Sequence, residues 1–327
     1  MITNIFLVMM ISFIITLILG SILIPIFHNM NMNQKLSVYL ERAHDSKKNT
    51  PTMGGVIFIL SSLITFILLL IFHKIKISNS LIIIIFTFFS YGLIGFIDDY
   101  LIIKRGNNIG LKEYQKLLLQ LIVSIIFFLI FMLDNEPLLW IHTFNLKLDI
   151  SWFYGLFILF VLVASSNAVN ITDGLDGLAA SLCLIAFVTF GIISLYTGWL
   201  DGYKDIALFA FIIVGSLFGF LFFNMYPAKI FMGDTGSLAL GATLGSYAIL
   251  TRHELLLVVI GIVFVIETSS CIIQRVYYKF TKKRIFLMTP IHHTFEKLGY
   301  KETDIVKMFI VAGLIASMTS LAFALWL

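Results

Sequence analysis

The sequence predicts an all-α integral membrane protein, a polytopic bundle of about ten transmembrane helices that forms a single domain over residues 1–327. Composition is the first observation behind this prediction, since 60% of the residues are hydrophobic and only 12% are charged. The mean hydropathy of +1.02 excludes a water-soluble globular enzyme. The second observation is a series of apolar runs close to the roughly 20 residues that a helix needs to cross a bilayer. The third is that the alternating pattern of a membrane β-barrel does not occur, so helices must pair the backbone polar groups.

Apolar runs bounded by polar clusters locate the ten candidate spans along the chain. They lie near residues 5–27, 54–73, 80–97, 117–133, 152–169, 178–197, 206–223, 236–250, 255–278 and 305–327. The first run is longer than the core of a signal peptide, and it lacks a basic start and a small-residue cleavage site. We therefore expect it to remain as a span.

Lysine and arginine are distributed unequally between the two sets of connections. Sixteen of them follow the odd-numbered spans, and only five follow the even-numbered ones. Because positive residues accumulate in cytoplasmic loops, we expect the first set to face the cytoplasm. Ten spans then place both termini on the outer side. The unusual polar clusters share the basic loops, so we expect an active site on the cytoplasmic face.

Five aspartates stand at the ends of predicted spans on that face. Asp98 and Asp99 end the third span, Asp173 and Asp176 follow the fifth, and Asp234 precedes the eighth. Ionisable groups at a membrane are costly and are commonly functional. A solvated helix end is the alternative explanation for the adjacent pair, and a helix N-cap is the alternative for Asp234.

Carboxylate oxygens in such a cluster suit Mg²⁺, which takes one or two protein carboxylates together with substrate phosphates. Lys47, Lys48, Lys116 and the pair His292–His293 are the cations available for phosphate oxygens. Each of these side chains, taken alone, is also explained as a solvated surface residue or as one of the basic residues that accumulate in cytoplasmic loops. The residues thus predict a membrane enzyme with a Mg²⁺-dependent site for phosphate chemistry. Nucleic acid is not expected as a partner, because the basic run after the ninth span lacks interleaved aromatic residues.

Five motifs occur in order along nearly the whole chain. They are NTPTMGG at 49–55, GFIDDY at 95–100, NITDGLDG at 170–177, NMYPAKIFMGDTGS at 224–237 and PIHHTFE at 290–296. Together they resemble the motifs of the phospho-N-acetylmuramoyl-pentapeptide transferases, which belong to the polyprenyl-phosphate N-acetylhexosamine-1-phosphate transferase superfamily. Each motif alone is weak evidence, but five in register are specific.

The resemblance implies a multi-pass protein of the bacterial inner membrane, embedded in the lipid bilayer and usually paired as a homodimer. It implies Mg²⁺-dependent transfer of phospho-MurNAc-pentapeptide from UDP-MurNAc-pentapeptide to undecaprenyl phosphate, which gives lipid I and UMP. Asp98, Asp99 and Asp234 match the family's catalytic aspartates, and Asp234 and Asp173 match positions near the metal.

The resemblance also implies a set of substrate-binding residues, among which Phe231 matches an aromatic residue that stacks on uracil. The set is Lys48, Thr52, Lys116, Asn170, Asp173, Asp176, Asn224, Phe231, Gln274, His292 and His293. The chain departs from the family pattern at two positions. Thr294 stands in place of a third histidine, and Ile102 stands in place of a lysine, with Lys104 and Arg105 close behind it.

Two mechanisms remain open at this stage. In the first, Asp98 deprotonates or orients undecaprenyl phosphate for direct attack, Asp99 assists, and Asp234 anchors Mg²⁺. In the second, an aspartate forms a covalent phospho-enzyme.

Two other functions fit parts of the same pattern. A transferase of GlcNAc-1-phosphate for other cell-surface polymers is the close alternative. A transporter is disfavoured, because the carboxylates lie at span ends and only Glu267 interrupts an apolar helix deeply. Glu267 either kinks the ninth span or marks a buried polar contact with a neighbouring helix.

Overall fold

The computed structural model describes residues 2–30, 32, 47, 49–105, 109–141 and 146–326. Within these residues the chain is almost entirely helical. The helices are α1 Ile2–Asn29, α2 Gly55–Ile71, α3 Asn79–Arg105, α4 Glu113–Phe131, α5 Phe153–Thr172, α6 Leu178–Tyr196, α7 Tyr203–Asn224, α8 Gly233–Leu250, α9 Glu254–Ile260, α10 Ile262–Thr281, α11 Ile291–Lys297 and α12 Glu302–Trp326. Two strands, β1 Leu138–Ile141 and β2 Leu146–Asp149, connect α4 to α5.

Seven of the described helices are long and apolar enough to cross a membrane, namely α1, α3, α4, α5, α6, α7 and α12. The bent pair α9–α10 forms an eighth candidate, and α2 is a shorter apolar helix of 17 residues. The prediction of an all-α polytopic membrane protein is therefore confirmed. The count of ten spans stays a prediction.

Helix α8 lies at the centre of the bundle, since every residue from Thr235 to Leu250 is buried. It packs against α3 and α5, and also against α2, α6 and α9. Glycines permit this close packing, because a Cβ atom at Gly241 would overlap the backbone of Ser165 on α5. A Cβ atom at Gly95 of α3 would likewise overlap the carbonyl of Asp234. The close approach of α3 and α8 brings Asp234 beside the end of α3.

The predicted ninth span, residues 255–278, is not one continuous helix. It breaks at Gly261, and α9 and α10 meet at an angle of 85°. Glycine is a weak helix former, which accounts for the position of the break. The hypothesis that Glu267 kinks the span is therefore wrong. Glu267 lies fully buried within α10. It makes the buried polar contact that was the alternative hypothesis, and its partner is His292 of α11.

The antiparallel hairpin of β1 and β2 was not foreseen from the sequence. Its register pairs Leu138 with Asp149. Arg252, which follows α8, holds the hairpin by donating hydrogen bonds to the carbonyls of Leu138 at 2.7 Å and Glu136 at 2.8 Å. Because Asp234 begins α8 and Arg252 follows its end, the hairpin lies about 25 Å from Asp234 along the helix axis.

Candidate active site

The structure brings the aspartates of three distant motifs together at one end of the bundle. The Lys116 ammonium of α4 forms an ion pair with Asp234 at the start of α8, and it lies 3.7 Å from Oδ2 of Asp98, which stands about two turns before the end of α3. Asp173, which follows α5, lies beside the backbone of Gly233. The ends of α3, α4, α5 and α8 therefore form one polar site.

Asp99 caps the first turn of α8. Its Oδ1 accepts a hydrogen bond from the backbone N–H of Asp234 at 3.1 Å, and its Oδ2 accepts from the N–H and hydroxyl of Thr235 at 2.9 and 2.6 Å. The first N–H groups of a helix lack intrahelical partners and favour an anion. Gly233 leaves room for this contact at a φ of 74°, since a Cβ atom there would lie 2.6 Å from Asp99 Oδ2. Asp99 therefore fixes the position of Asp234.

The carboxylate of Asp234 is oriented by residues of two further helices. Its Oδ1 accepts a hydrogen bond from Asn170 Nδ2 of α5 at 2.7 Å, and its Oδ2 pairs with Lys116 of α4. Asn170 also donates to the hydroxyl of Ser237 at 2.9 Å, one turn along α8. Asp234 is thus held in one orientation by α4, α5 and its own helix.

Asp98 is buried but makes fewer contacts than its neighbour. Its Oδ1 accepts a hydrogen bond from the backbone N–H of Leu111 at 2.6 Å, and a Cβ atom at Gly110 would collide with the same oxygen. Arg105 holds this loop by donating to the carbonyl of Gly110 at 2.7 Å. The guanidinium of Arg105, which follows Ile102 closely in the chain, thus supports the loop that contacts Asp98.

The carboxylates of the site could supply some, but not all, of the oxygen ligands of a Mg²⁺ ion. No group of three His, Cys, Asp or Glu side chains in the described ranges is arranged to hold a metal by itself. Asp98 and Asp234, however, both face the ammonium group of Lys116. The two carboxylates therefore need a nearby cation to balance their negative charge. Mg²⁺ is commonly held by one or two carboxylates, with waters and phosphate oxygens completing its coordination. These carboxylates suit an ion that arrives with a phosphate ligand.

Asp173 lies in the most negative part of the site. Burial, followed by the charges of Asp234, Asp99 and Asp176, raises the pKa of Asp173 to about 8. A raised pKa favours the protonated carboxyl at neutral pH while no cation is present. A nearby divalent cation would favour the carboxylate instead, so the predicted metal role of Asp173 is coupled to cation binding.

Asp176 belongs to a second cluster that surrounds Lys47. The Lys47 ammonium lies 2.6 Å from Asp176 Oδ1 and 2.6 Å from Glu302 Oε1 of α12. The same oxygen of Glu302 accepts a hydrogen bond from the backbone N–H of Asp176 at 2.7 Å, and Ala228 N–H donates to Asp176 Oδ2 at 3.0 Å. The ring centre of Phe231 lies 6.0 Å from the ammonium.

Glu302 was not singled out from the sequence, since an acidic residue at the start of a helix is common. Lys48, the lysine chosen from this motif as substrate-binding, lies outside the described residues. Its neighbour Lys47 is the lysine that joins Asp176 and Phe231 in the structure.

Thr52 and Asn224 support the loop that carries Phe231. Thr52 is buried, and its hydroxyl lies 2.9 Å from where a Cβ atom of Gly233 would stand. Asn224 donates a hydrogen bond to the carbonyl of Ile230 at 2.9 Å. The backbone of Phe231 also pairs with the glycine-rich motif before α2, donating to the carbonyl of Pro51 at 2.8 Å. The first and fourth motifs therefore form one structural unit.

The two histidines of α11 face different partners. His292 is fully buried, with Nδ1 3.1 Å from Glu267 Oε1, and its Nε2 faces Gly174 so closely that a Cβ atom there would overlap it. His293 Nδ1 lies 2.6 Å from Glu296 Oε2. His292 therefore adjoins the loop that carries Asp173, whereas His293 is directed towards its own helix.

Thr294 and Gln274 hold backbone segments. The Thr294 hydroxyl donates to the carbonyl of Met288 and accepts from its N–H at 3.3 Å. Gln274 Oε1 accepts hydrogen bonds from the N–H groups of Ile285 at 3.0 Å and Phe286 at 3.1 Å. Both side chains thereby fix the segment between α10 and α11, a role that sequence reasoning did not assign to them.

Comparison with known proteins identifies the family. The model of glycosyl transferase family 4 matches residues 81–252, which extend from α3 to the end of α8. Signature 1 of the phospho-N-acetylmuramoyl-pentapeptide-transferases matches residues 47–59, which include Lys47 and Thr52. The chain belongs to the phospho-N-acetylmuramoyl-pentapeptide-transferase family. Members of this family are multi-pass proteins of the bacterial inner membrane, and the apolar helices of this chain agree with that location.

Curated phospho-N-acetylmuramoyl-pentapeptide-transferases match almost the whole chain. The protein of that name from Bacillus subtilis (strain 168) is 42% identical over 317 residues, covering 97% of this chain and 96% of the relative. The one from Listeria innocua is 46% identical over 312 residues, covering 95% of each. The one from Oceanobacillus iheyensis is 42% identical over 321 residues, covering 97% and 96%.

Proposed function

We propose that the protein transfers phospho-MurNAc-pentapeptide from UDP-MurNAc-pentapeptide to undecaprenyl phosphate, giving lipid I and UMP. The observation that carries this proposal is the shared site of Asp98, Lys116 and Asp234, where helix ends of a membrane bundle converge. A site at the edge of the bilayer suits a reaction between a lipid-borne phosphate and a water-soluble nucleotide. The curated relatives, which match from end to end, carry this activity in their name.

The proposed topology has ten spans in one domain, both termini outside and the active site at the cytoplasmic face. The basic residues support it, since sixteen follow the odd-numbered predicted spans, on the site's side, and five follow the even-numbered ones. UDP-linked sugars are cytoplasmic substrates, so the active site must face them. The homodimer implied by the resemblance is part of the same proposal.

The main obstacle to the reaction is repulsion between two anionic substrates. Lys116 lowers this repulsion by placing an ammonium between Asp98 and Asp234. Mg²⁺ would be held by Asp234 and Asp173 and would neutralise the pyrophosphate. Lys47, Asp176 and Phe231 bind the nucleotide, and Phe231 supplies an aromatic face for the base.

Asp98 is the residue that acts on the lipid phosphate in this proposal. Its Oδ2 faces the site beside Lys116 and the Asp234 carboxylate, a position from which it can orient the acceptor or take its proton for attack on the β-phosphate. Asp99 acts as a positioning residue, because its oxygens accept three hydrogen bonds from α8. The sequence suggested only that Asp99 assists Asp98, and this positioning role specifies how.

The covalent mechanism is distinguished by one labelling experiment. Enzyme is incubated with Mg²⁺ and radiolabelled UDP-MurNAc-pentapeptide in the absence of the lipid acceptor. Direct transfer predicts that no label becomes protein-bound and that no UMP forms. Label trapped on the wild-type protein but not on Asp98→Asn would establish the phospho-enzyme route instead.

The function is tested by UMP release from purified protein in lipid nanodiscs. We expect release from UDP-MurNAc-pentapeptide that requires both undecaprenyl phosphate and Mg²⁺, and we expect chelation by EDTA to abolish it. Release from UDP-GlcNAc but not from the muramoyl substrate would instead identify the enzyme as a GlcNAc-1-phosphate transferase.

The metal assignment is tested in the same assay with Asp234→Asn. This variant should lose about 10²-fold or more of its turnover, with the remainder unaffected by Mg²⁺ titration. Asp201→Asn, at an exposed turn between α6 and α7, serves as the control. Normal Mg²⁺-dependent turnover by Asp234→Asn would remove the aspartate from the metal site.

A further inference from the structure

A cavity of about 570 Å³ lies between α10, the segment that follows it and α11. Three charged residues line it, Arg275 of α10, Arg284 of the connecting segment and Lys297 at the end of α11, and all three are cationic. Within the described part of the chain, no carboxylate forms an ion pair with any of them. The cavity therefore concentrates positive charge that no acidic residue in those ranges neutralises.

The tendency of basic residues to follow a membrane span does not explain this convergence. Lys279, Lys282 and Lys283 come from the same stretch of chain and do not line the cavity. Three exposed cations around one concave space create a positive potential that favours an anion there. Guanidinium groups bind carboxylates and phosphates through paired N–H donors, so two arginines make an oxyanion the natural occupant.

The cavity is connected to the candidate active site by the short helix α11. Lys297 lies five residues after His292, which corresponds to about 8 Å along the helix axis. His292 faces Gly174, the neighbour of Asp173. The walls of the cavity, which include Gln274 and Met288, are fixed by the hydrogen bonds of Gln274 and Thr294. A cationic cavity with hydrogen-bonded walls thus lies about the length of α11 from the candidate active site.

We propose that this cavity binds carboxylates of the peptide stem of the substrate. The inference rests on the proposed function, which supplies a substrate whose peptide extends from the reacting sugar. An extended stem of five residues reaches about 16 Å, enough to pass along α11 from the aspartates to the cavity. A peptide carries at least one carboxylate at its end. The cavity volume is in the range of pockets that enclose small ligands.

The proposal is tested with Arg275→Gln, Arg284→Gln, Lys297→Gln and the triple variant. For each protein, KM and kcat for UDP-MurNAc-pentapeptide come from UMP release, and Kd values for this substrate and for peptide-free UDP-MurNAc come from calorimetry. We expect single variants to raise KM and Kd for the pentapeptide substrate about three- to tenfold, with kcat unchanged. The Kd for peptide-free UDP-MurNAc should not change.

Lys279→Gln is the matched control, because Lys279 is an exposed cation in the last turn of α10 that does not line the cavity. Arg284→Lys, which keeps the charge but loses the paired donors, should show a smaller effect than Arg284→Gln. Should the triple variant fail to fold, the single variants decide the result. An unchanged pentapeptide KM in all folded variants overturns the proposal.

Two further outcomes would also overturn it. Equal weakening of both nucleotides would mean that the cations act on the nucleotide or on the fold. An effect that occurs in nanodiscs with phosphatidylglycerol but not with phosphatidylcholine would assign the cavity to a lipid headgroup. Failure of the proposed function would differ from all of these, because the wild-type protein itself would then release no UMP from the muramoyl substrate.

Discussion

Two adjacent aspartates near the C-terminal end of α3 have different environments. Asp99 accepts hydrogen bonds from the first turn of α8, whereas Asp98 has one oxygen held by Leu111 and the other directed into the site. Identical side chains in neighbouring positions therefore support different roles. One secures the geometry, and the other is available for chemistry.

This difference predicts separate effects of substitution. Asp98→Asn should lower turnover about 10³-fold with little change in thermal stability. Asp99→Asn should lower the free energy of unfolding by about 1 to 2 kcal/mol, because its new amide cannot accept at both positions, and its activity loss should follow that destabilisation. Thermal unfolding and UMP release in the same detergent measure both effects. Equal destabilisation by the two variants would contradict the assignment.

The sequence revealed the carboxylates but not how they are used. Asp98, Asp173 and Asp234 could be predicted because ionised groups at a membrane boundary are costly and therefore conspicuous. The cap formed by Asp99, the contact of Glu302 with Lys47 and the loop contacts of Gln274 depend on segments that only folding brings together. No local pattern in the chain encodes those distances.

Among the elements, the contact of α3 with α8 determines the shape of the site. Gly95 makes it possible, since a Cβ atom there would overlap the carbonyl of Asp234. Gly95→Ala should therefore separate the two helices, destabilise the protein by about 1 to 3 kcal/mol and reduce turnover. Thermal unfolding and UMP release measure the result.

Gly198→Ala is the control for this substitution, because no atom lies within 4 Å of a Cβ atom built there. It should leave both stability and turnover unchanged. If Gly95→Ala behaves like Gly198→Ala, the close approach of α3 and α8 is not needed for the site.

The start of α12 provides a second prediction for an element. Glu302 holds both the ammonium of Lys47 and the backbone of Asp176, so Glu302→Gln should loosen the nucleotide site. We expect a KM for UDP-MurNAc-pentapeptide about fivefold higher, with kcat altered less than about twofold. Asp304→Asn, an exposed position in the same turn, should change neither value. A fall in kcat without a change in KM would argue against a positioning role.

Long apolar elements were more predictable than short ones. The runs that became α1, α5 and α6 lie close to their predicted positions, because lipid immersion requires continuous apolar helices. Helix α3 continues eight residues beyond its predicted end at residue 97, so Asp98 and Asp99 lie within it. The break at Gly261 and the hairpin of β1 and β2 were missed. Four-residue strands carry almost no periodic signal, and this hairpin depends on Arg252, which lies more than a hundred residues away.

For the whole molecule, orientation in the membrane is the prediction most open to a direct test. Cysteines are introduced at Lys147 of β2 and at Lys283 after α10, in a chain from which Cys183 and Cys271 have been removed. A membrane-impermeant maleimide should label Lys147→Cys in intact cells and Lys283→Cys only after lysis. The opposite pattern would invert the proposed topology.

The complete burial of α8 has a consequence for biogenesis. Although α8 occupies the middle of the bundle, it is not among the helices that are apolar enough to span a membrane alone. Small and hydroxylated residues replace the bulky ones that would anchor it in lipid. When α8 leaves the ribosome during synthesis, it is a segment with little affinity for the hydrocarbon core of the bilayer. Its insertion must therefore be cooperative, with previously inserted neighbours such as α3, α5 and α6 receiving it from the translocon.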